Sequence, residues 1–118
     1  ANARLIRAME PLLLQAEHPR AVFVTSGAAS KARPFWGTYA TSKAALDAMV
    51  RTWAHEHENN KLRVNLLSPG PVSTAMRAQA MPGEDPDTLP APADVAPLFL
   101  ELLSPAQTRT GEIIAFER

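Results

Sequence analysis

The 118-residue sequence contains no cysteine, which excludes disulfide bonds, thiolate chemistry and cysteine-ligated metal sites. This composition fits a reducing compartment, and we predict a cytoplasmic protein. An excess of charge is also missing, because 12 Lys and Arg side chains balance 12 Asp and Glu. Without a long-range field of one sign there is nothing to attract nucleic acid or an anionic membrane surface. A small-molecule partner is therefore favoured.

Long apolar segments are absent as well, and we expect no signal peptide. The apolar run from Ala44 to Val50 is interrupted by Asp47 and falls far short of the roughly 20 residues that a membrane span needs. An apolar fraction of 46% is nevertheless ordinary for one small globular domain. The chain opens in helical periodicity without an initiator methionine, so we expect a domain that is cut within an element.

Hydrophobic periodicity predicts alternating helices and strands. Apolar residues recur at spacings of three and four from Ala1 to Glu17 and from Thr38 to His57, as in amphipathic helices. A third, shorter helix is predicted over residues 93–103, and strands over residues 21–24, 62–67 and 112–116. The first strand is unbroken by polar residues, as expected in a parallel sheet with both faces covered. The sequence therefore predicts an α/β fold in which helices flank a parallel sheet.

The helix from Thr38 to His57 carries a strip of small side chains, Ala40, Ala44 and Ala48. Such a strip allows another helix to approach closely. That partner is either a helix of the same chain or the same helix of a second copy across a two-fold axis. We predict a homo-oligomer formed through this helix and the helix from Ala1 to Glu17.

Tyr39 and Lys43 are separated by one helical turn, so both side chains project from the same face of the helix. A free phenol is a poor base at neutral pH. An adjacent ammonium group favours the ionised form of the phenol, so that Tyr39 can exchange a proton with a substrate oxygen. Ser26, just past the strand 21–24, is placed to hydrogen-bond the same substrate oxygen. These three residues are the predicted catalytic group, although a tyrosine and a lysine at this spacing also occur by chance in many helices.

The ordered set formed by Ser26, the Tyr39-x-x-x-Lys43 motif and the Pro69-Gly70 turn resembles that of the short-chain dehydrogenases/reductases. In such enzymes the tyrosine is the general acid/base, the lysine also binds the nicotinamide ribose, and the serine orients the substrate carbonyl. The resemblance implies these roles for the three predicted catalytic residues. It also implies cofactor contacts from Tyr39, Lys43, Pro69, Gly70, Val72 and Thr74.

The resemblance further implies the carboxyl-terminal half of a Rossmann-type domain over residues 1–118. The expected activity is hydride transfer between NADP or NAD and a carbonyl or secondary alcohol substrate. The glycine-rich phosphate loop of the family has no counterpart in the sequence, so we expect that this chain alone does not bind a dinucleotide productively. Asn2 lies a few residues too late to be assigned as the catalytic asparagine of the family. The alternative function is a non-catalytic fragment or oligomerisation module of the same fold.

Two further groups of residues have competing interpretations. His55 and His57 lie two residues apart on a helix and point to different faces, so with His18 they are predicted to be solvated rather than metal-binding. Met76 and Met81 lie in a proline-rich segment that we predict to be a lid-like loop. These methionines either line an apolar substrate pocket or pack the loop against the domain.

Overall fold

The computed structural model describes residues 2–26, 34, 37–70, 82, 83, 85, 87 and 89–116. The helices within these ranges are α1 (Asn2–Leu13), α2 (Gly37–Glu56) and α3 (Pro92–Leu103), and the strands are β1 (Arg20–Val24), β2 (Arg63–Ser68) and β3 (Ile113–Ala115). Their order is α1-β1-α2-β2-α3-β3, as the sequence predicts. The first helix ends earlier than predicted, because the amides of Gln15 and Ala16 bond the carbonyls three residues before them and tighten the last turn.

The three strands form one parallel sheet with β2 in the centre. Val24 of β1 pairs with Leu67 of β2, and Leu67 in turn pairs with Ile114 of β3. Parallel neighbours require a crossover connection, and α2 and α3 lie in the two crossovers between consecutive strands. The carboxyl ends of β1 and β2, and with them the amino end of α2, therefore meet at one edge of the sheet. The predicted α/β class with a parallel sheet flanked by helices is confirmed.

Alternate residues of β2 pack on opposite faces of the sheet, because successive side chains of a strand point in opposite directions. Val64 and Leu66 join one core cluster with residues of α2, against which Ile6 and Leu13 of α1 also pack. Leu67 joins a second cluster whose other buried members are Val95 and Leu102 of α3. The central strand is thus covered on both faces, which explains why Val64, Leu66 and Leu67 are all fully buried.

Asn65 is a fully buried polar residue in the centre of the sheet. Its side-chain amide donates to the carbonyl of Arg109 at 2.9 Å, and its Oδ1 accepts from the amide of Glu112 at 3.2 Å. A buried amide without such partners would cost about 1–3 kcal/mol. The polar atoms of Asn65 therefore have partners, and the same two hydrogen bonds hold the segment before β3 against β2.

The guanidinium of Arg20 bonds the chain that follows α3. It donates to the carbonyls of Ser104 and Pro105, as well as to those of Pro19 and Lys61. Burial, reinforced by the nearby charge of Arg63, lowers the pKa of Arg20. Because a free helix end leaves carbonyls without partners, this side chain satisfies backbone oxygens that α3 and its connection to β3 expose.

Helix α1 is joined to α2 through the carboxylate of Glu10. The indole nitrogen of Trp53 donates to Glu10 Oε2 at 2.7 Å, and Nε2 of His57 lies 3.4 Å from the same oxygen. The side-chain amide of Asn60 donates to Nδ1 of His57 at 2.7 Å, which leaves the ring proton on Nε2, facing Glu10.

His57 corrects one prediction, since its side chain is only 12% exposed and is not part of the solvated surface. His18 and His55 are exposed, as expected. Within the described ranges, no three acidic or histidine side chains come together as a potential metal site. None of the described helices has both the length and the apolarity that crossing a membrane demands.

Candidate active site

Tyr39 and Lys43 lie at the amino end of α2, on the same side of the helix that packs against the sheet. Leu46, Val50 and Trp53 are buried there, at positions 7, 11 and 14 residues after Tyr39. These spacings return to the same face of an α-helix, so the apolar contacts that set the rotation of α2 also orient Tyr39 and Lys43. The buried part of this face covers the sheet. The first two turns of α2, which carry Tyr39 and Lys43, lie at the carboxyl ends of the strands.

The predicted proximity of the phenol and the ammonium group is present in the structure. Lys43 Nζ lies 5.8 Å from the centroid of the Tyr39 ring. Tyr39 is 37% exposed, so its ring remains accessible from the solvent side. A cation at this distance from an aromatic ring is favoured by the quadrupole of the ring.

Lys43 also reaches the end of β1. Its Nζ is 3.5 Å from the carbonyl oxygen of Val24, a long contact at the limit of a hydrogen bond. Ser26 follows two residues later and is half-buried. The lysine of α2 and the serine after β1 are therefore held at the same edge of the sheet, as predicted for a common site.

A residue pair that sequence reasoning missed lies beside this contact. Thr25 is 3% exposed, and its hydroxyl donates to Oδ1 of Asp47 at 2.5 Å. Asp47 is one turn beyond Lys43 on the same face of α2. A charged residue on the apolar face of a helix needs a polar partner when it is partly buried. The position of Asp47 on that face was therefore the sequence feature that could have predicted such a partner.

The Pro69-Gly70 turn follows β2 at the same edge, because β2 pairs in parallel with β1 up to Val24 and Leu67. Gly70 has a φ of 70°, a conformation that residues with a side chain rarely adopt. A Cβ atom built on Gly70 would meet nothing within 4 Å. The glycine is thus required by its backbone conformation and not by a close contact with another described residue.

Some of the predicted residues lie outside the described part of the chain. Val72 and Thr74, predicted to contact the cofactor, are among them, as are Met76 and Met81 of the lid-like loop. Their roles remain predictions.

A groove of about 560 Å³ lies between α1 and α2. Ile6 and Glu10 of α1 line one side, and Ala48 and Thr52 of α2 line the other. The groove contains none of the predicted catalytic residues, so it is separate from the site around Tyr39.

Comparison with known proteins identifies the family. The family profile described as enoyl-(acyl carrier protein) reductase matches residues 1–116. An uncharacterised oxidoreductase of Escherichia coli strain K12 is 42% identical over 112 residues, which cover 94% of this chain and 44% of the relative. The chain belongs to the short-chain dehydrogenase/reductase family.

Solved structures agree with this assignment. A short-chain dehydrogenase from Salmonella enterica is 41% identical with a TM-score of 0.92, and the match covers 97% of this chain and 47% of that one. A short-chain dehydrogenase from Escherichia coli in complex with NADPH is 40% identical with a TM-score of 0.90, covering 97% and 48%. This short-chain dehydrogenase/reductase chain therefore spans less than half the length of these relatives and has their Rossmann-type fold.

A shorter match concerns a protein with a named substrate. Benzil reductase of Bacillus subtilis is 44% identical over 59 residues, which cover 48% of this chain and 24% of that protein.

Proposed function

We propose that this short-chain dehydrogenase/reductase chain carries the catalytic residues of an NAD(P)-dependent oxidoreductase that interconverts a carbonyl group and a secondary alcohol. The observation that carries the proposal is the position of Lys43, whose Nζ lies 5.8 Å from the Tyr39 ring and 3.5 Å from the carbonyl of Val24, two residues before Ser26. A proton donor, a cation and a hydroxyl group are thus gathered at one sheet edge.

The chemistry assigned to these residues is acid–base catalysis at the substrate oxygen. The Tyr39 hydroxyl gives its proton to the carbonyl oxygen during reduction and takes it back during oxidation. The ammonium group of Lys43 stabilises the phenolate that remains. Ser26 donates a hydrogen bond to the same oxygen, where negative charge develops. The nicotinamide cofactor, when bound, supplies or accepts the hydride.

The residues present fit such a cofactor. Gly70 is exposed and has no side chain, which suits the approach of a flat ring to its backbone, and Lys43 lies at the same edge, where it can contact a ribose hydroxyl. Pro69, Gly70, Tyr39 and Lys43 are therefore the proposed cofactor contacts, joined by Val72 and Thr74 on the basis of the family resemblance. NADPH is the first cofactor to test, since a similar Escherichia coli structure contains it.

We further propose that residues 1–118 are the carboxyl-terminal part of an NAD(P)-binding Rossmann-type domain whose phosphate-loop half is not among these residues. The relatives support this, since the chain matches 44% to 48% of their length. We place the protein in the cytoplasm on the basis of its lack of cysteine.

The activity is tested in a fusion enzyme that joins the amino-terminal half of the Escherichia coli relative to residues 1–118. We expect it to oxidise NADPH in the presence of a carbonyl compound, with benzil as the first substrate because a similar protein is a benzil reductase. The unfused chain serves as the control and is expected to be inactive. A fusion enzyme that binds NADPH but reduces no member of an aldehyde and ketone panel would contradict the proposal and favour the non-catalytic alternative.

We also propose that the protein forms a homo-oligomer through α1 and α2. Leu5, Met9 and Leu12 form an exposed apolar stripe on α1, at spacings of four and three. Ala44 and Ala48 of the small-residue strip are exposed on α2, and Ala48 lines the groove between α2 and α1. A second copy that brings the same two helices would bury both surfaces across a two-fold axis.

Replacing Leu5 and Leu12 together with glutamate is expected to weaken self-association at least about tenfold, because each charge would have to be buried in the interface. Sedimentation equilibrium over a range of concentrations measures the effect. The matched control replaces Leu100 and Leu103 together with glutamate, which introduces the same two charges at exposed positions of α3. A wild-type chain that stays monomeric at all concentrations, or a control that dissociates equally, would rule out this interface.

A further inference from the structure

We infer that Thr25 and Asp47 are positioning residues, whose hydrogen bond fixes helix α2 against the end of β1 and so holds Lys43 opposite Ser26. The inference rests on the proposed function, because it assigns how the same site is held in place. Neither residue belongs to the Ser26–Tyr39–Lys43 set that the motif defines.

Thr25 is a rigid point of attachment. Its amide donates to the carbonyl of Leu67 at 2.9 Å, which continues the pairing of β1 with β2 one residue past the strand. Its side chain is buried. The direction of the Thr25 hydroxyl is therefore set by the sheet and not by a mobile loop.

Asp47 connects helix α2, which carries Tyr39 and Lys43, to Thr25. It lies four residues after Lys43 and eight after Tyr39, so the three side chains form one stripe along α2. Its Oδ1 accepts from the Thr25 hydroxyl at 2.5 Å. Because consecutive turns of a helix move together, fixing Asp47 also fixes the rise and rotation of the turn that carries Lys43.

The apolar core does not supply the same restraint. Leu46 and Val50 press α2 against the sheet, but apolar contact has no preferred direction and tolerates small shifts along the interface. The Thr25–Asp47 hydrogen bond is directional and joins residues 22 positions apart. A shift of about 1 Å at a reacting group is sufficient to reduce a rate by roughly 10²-fold, so this restraint matters for catalysis.

The position of Lys43 is measured by nuclear magnetic resonance in the 118-residue chain. The sequence has three lysines, whose ε-methylene signals are assigned with a Lys43→Arg variant, and one tyrosine, which gives a single set of ring signals. We expect cross-relaxation from the Lys43 ε-methylene protons to Val24 and Thr25. These signals should disappear in Thr25→Val and in Asp47→Ala, while the contact between Lys43 and Tyr39 within the helix persists.

Two comparisons separate a positioning role from a general loss of structure. Thr25→Ser keeps the hydroxyl and is expected to retain the cross-relaxation between Lys43 and the residues at positions 24 and 25, which we call the strand-to-helix signals. Thr52→Val is the matched control, because it removes a hydroxyl that donates only along α2, to the carbonyl of Ala48 at 2.8 Å. Dispersed methyl signals of the core verify that each variant is folded. If Asp47→Ala unfolds, Asp47→Leu replaces it, because leucine has a similar size and no hydrogen-bond acceptor.

The fusion enzyme then tests the consequence for catalysis. Thr25→Val and Asp47→Ala are expected to lower kcat by about 10- to 100-fold with a smaller change in the KM for NADPH, and Thr25→Ser to restore most of kcat. Strand-to-helix signals that persist in both breaking variants, or an unchanged kcat, would overturn the inference. An active Tyr39→Phe enzyme would instead overturn the proposed function, and the resonance experiment would still decide whether the pair positions Lys43.

Discussion

The Tyr39→Phe fusion enzyme is expected to lose carbonyl reduction by about 10²- to 10⁴-fold in kcat, the range that general acid–base catalysis contributes. Phenylalanine keeps the ring that Lys43 approaches at 5.8 Å and removes only the hydroxyl that we propose as the proton donor. The fold should therefore change little, and the affinity for NADPH should fall far less than kcat, because Tyr39 is only one of the proposed cofactor contacts. Steady-state oxidation of NADPH with benzil measures kcat, and fluorescence titration with NADPH measures the affinity.

The control for this experiment is Thr52→Val, which removes a hydroxyl from the same helix at an exposed position far along α2. It is expected to retain wild-type kcat. If Tyr39→Phe reduces benzil as fast as the unmodified fusion enzyme, then Tyr39 is not the proton donor and the proposed mechanism is wrong. Loss of NADPH affinity together with activity would assign Tyr39 to cofactor binding alone.

Leu66→Ala is expected to reduce the free energy of unfolding by about 2–5 kcal/mol, the usual cost of removing a buried leucine side chain. Leu66 is fully buried in the central strand, where it pairs with Phe23 on one side and Ile113 on the other. The substitution leaves a cavity in the core cluster that α2 shares with the sheet. Small domains are stable by only about 5–15 kcal/mol, so a large fraction of the stability is lost.

Urea unfolding followed by circular dichroism measures this loss. The matched control is Leu100→Ala, the same chemical change at a position that is 71% exposed, and we expect it to alter stability by less than about 0.5 kcal/mol. Equal effects of the two substitutions would mean that Leu66 is not at the centre of the core. Leu66 packs in the cluster that orients α2. The unfolding experiment therefore also tests how much this cluster stabilises the part of the fold that carries the candidate site.

Several features of the site follow from local periodicity and were predicted from the sequence. The spacing of Tyr39 and Lys43 places them on one helical face whatever the rest of the fold, since a helix has a fixed rotation per residue. The unbroken apolar strand before Ser26 predicts a parallel sheet, in which such a strand ends at the edge where ligands bind. Both predictions depend on neighbours in sequence. The structure confirms the parallel sheet, but β1 is only partly buried and Val24 is exposed, because β1 is the outer of the three described strands. That ligands bind at this edge stays a prediction.

Other features depend on contacts between residues that are distant in the chain. Glu10 and Trp53 are 43 residues apart, and the carboxylate that bonds Trp53 also contacts His57, whose mostly buried position its spacing in the sequence did not predict. Helical periodicity assigns a residue to a face of its own helix, but the neighbours of that face are set by how α1 packs on α2. The error about His57 arose at this step.

The sequence by itself determined the α/β fold, the order of its elements and the shared helical face of Tyr39 and Lys43, because these depend on backbone periodicity. Only the tertiary structure decided that Lys43 reaches Val24 and that Thr25 bonds Asp47. Such contacts require the end of β1 and the start of α2 to lie at a particular distance and rotation. That geometry results from the packing of the whole core, in which many weak apolar contacts act together, and no short sequence pattern specifies it.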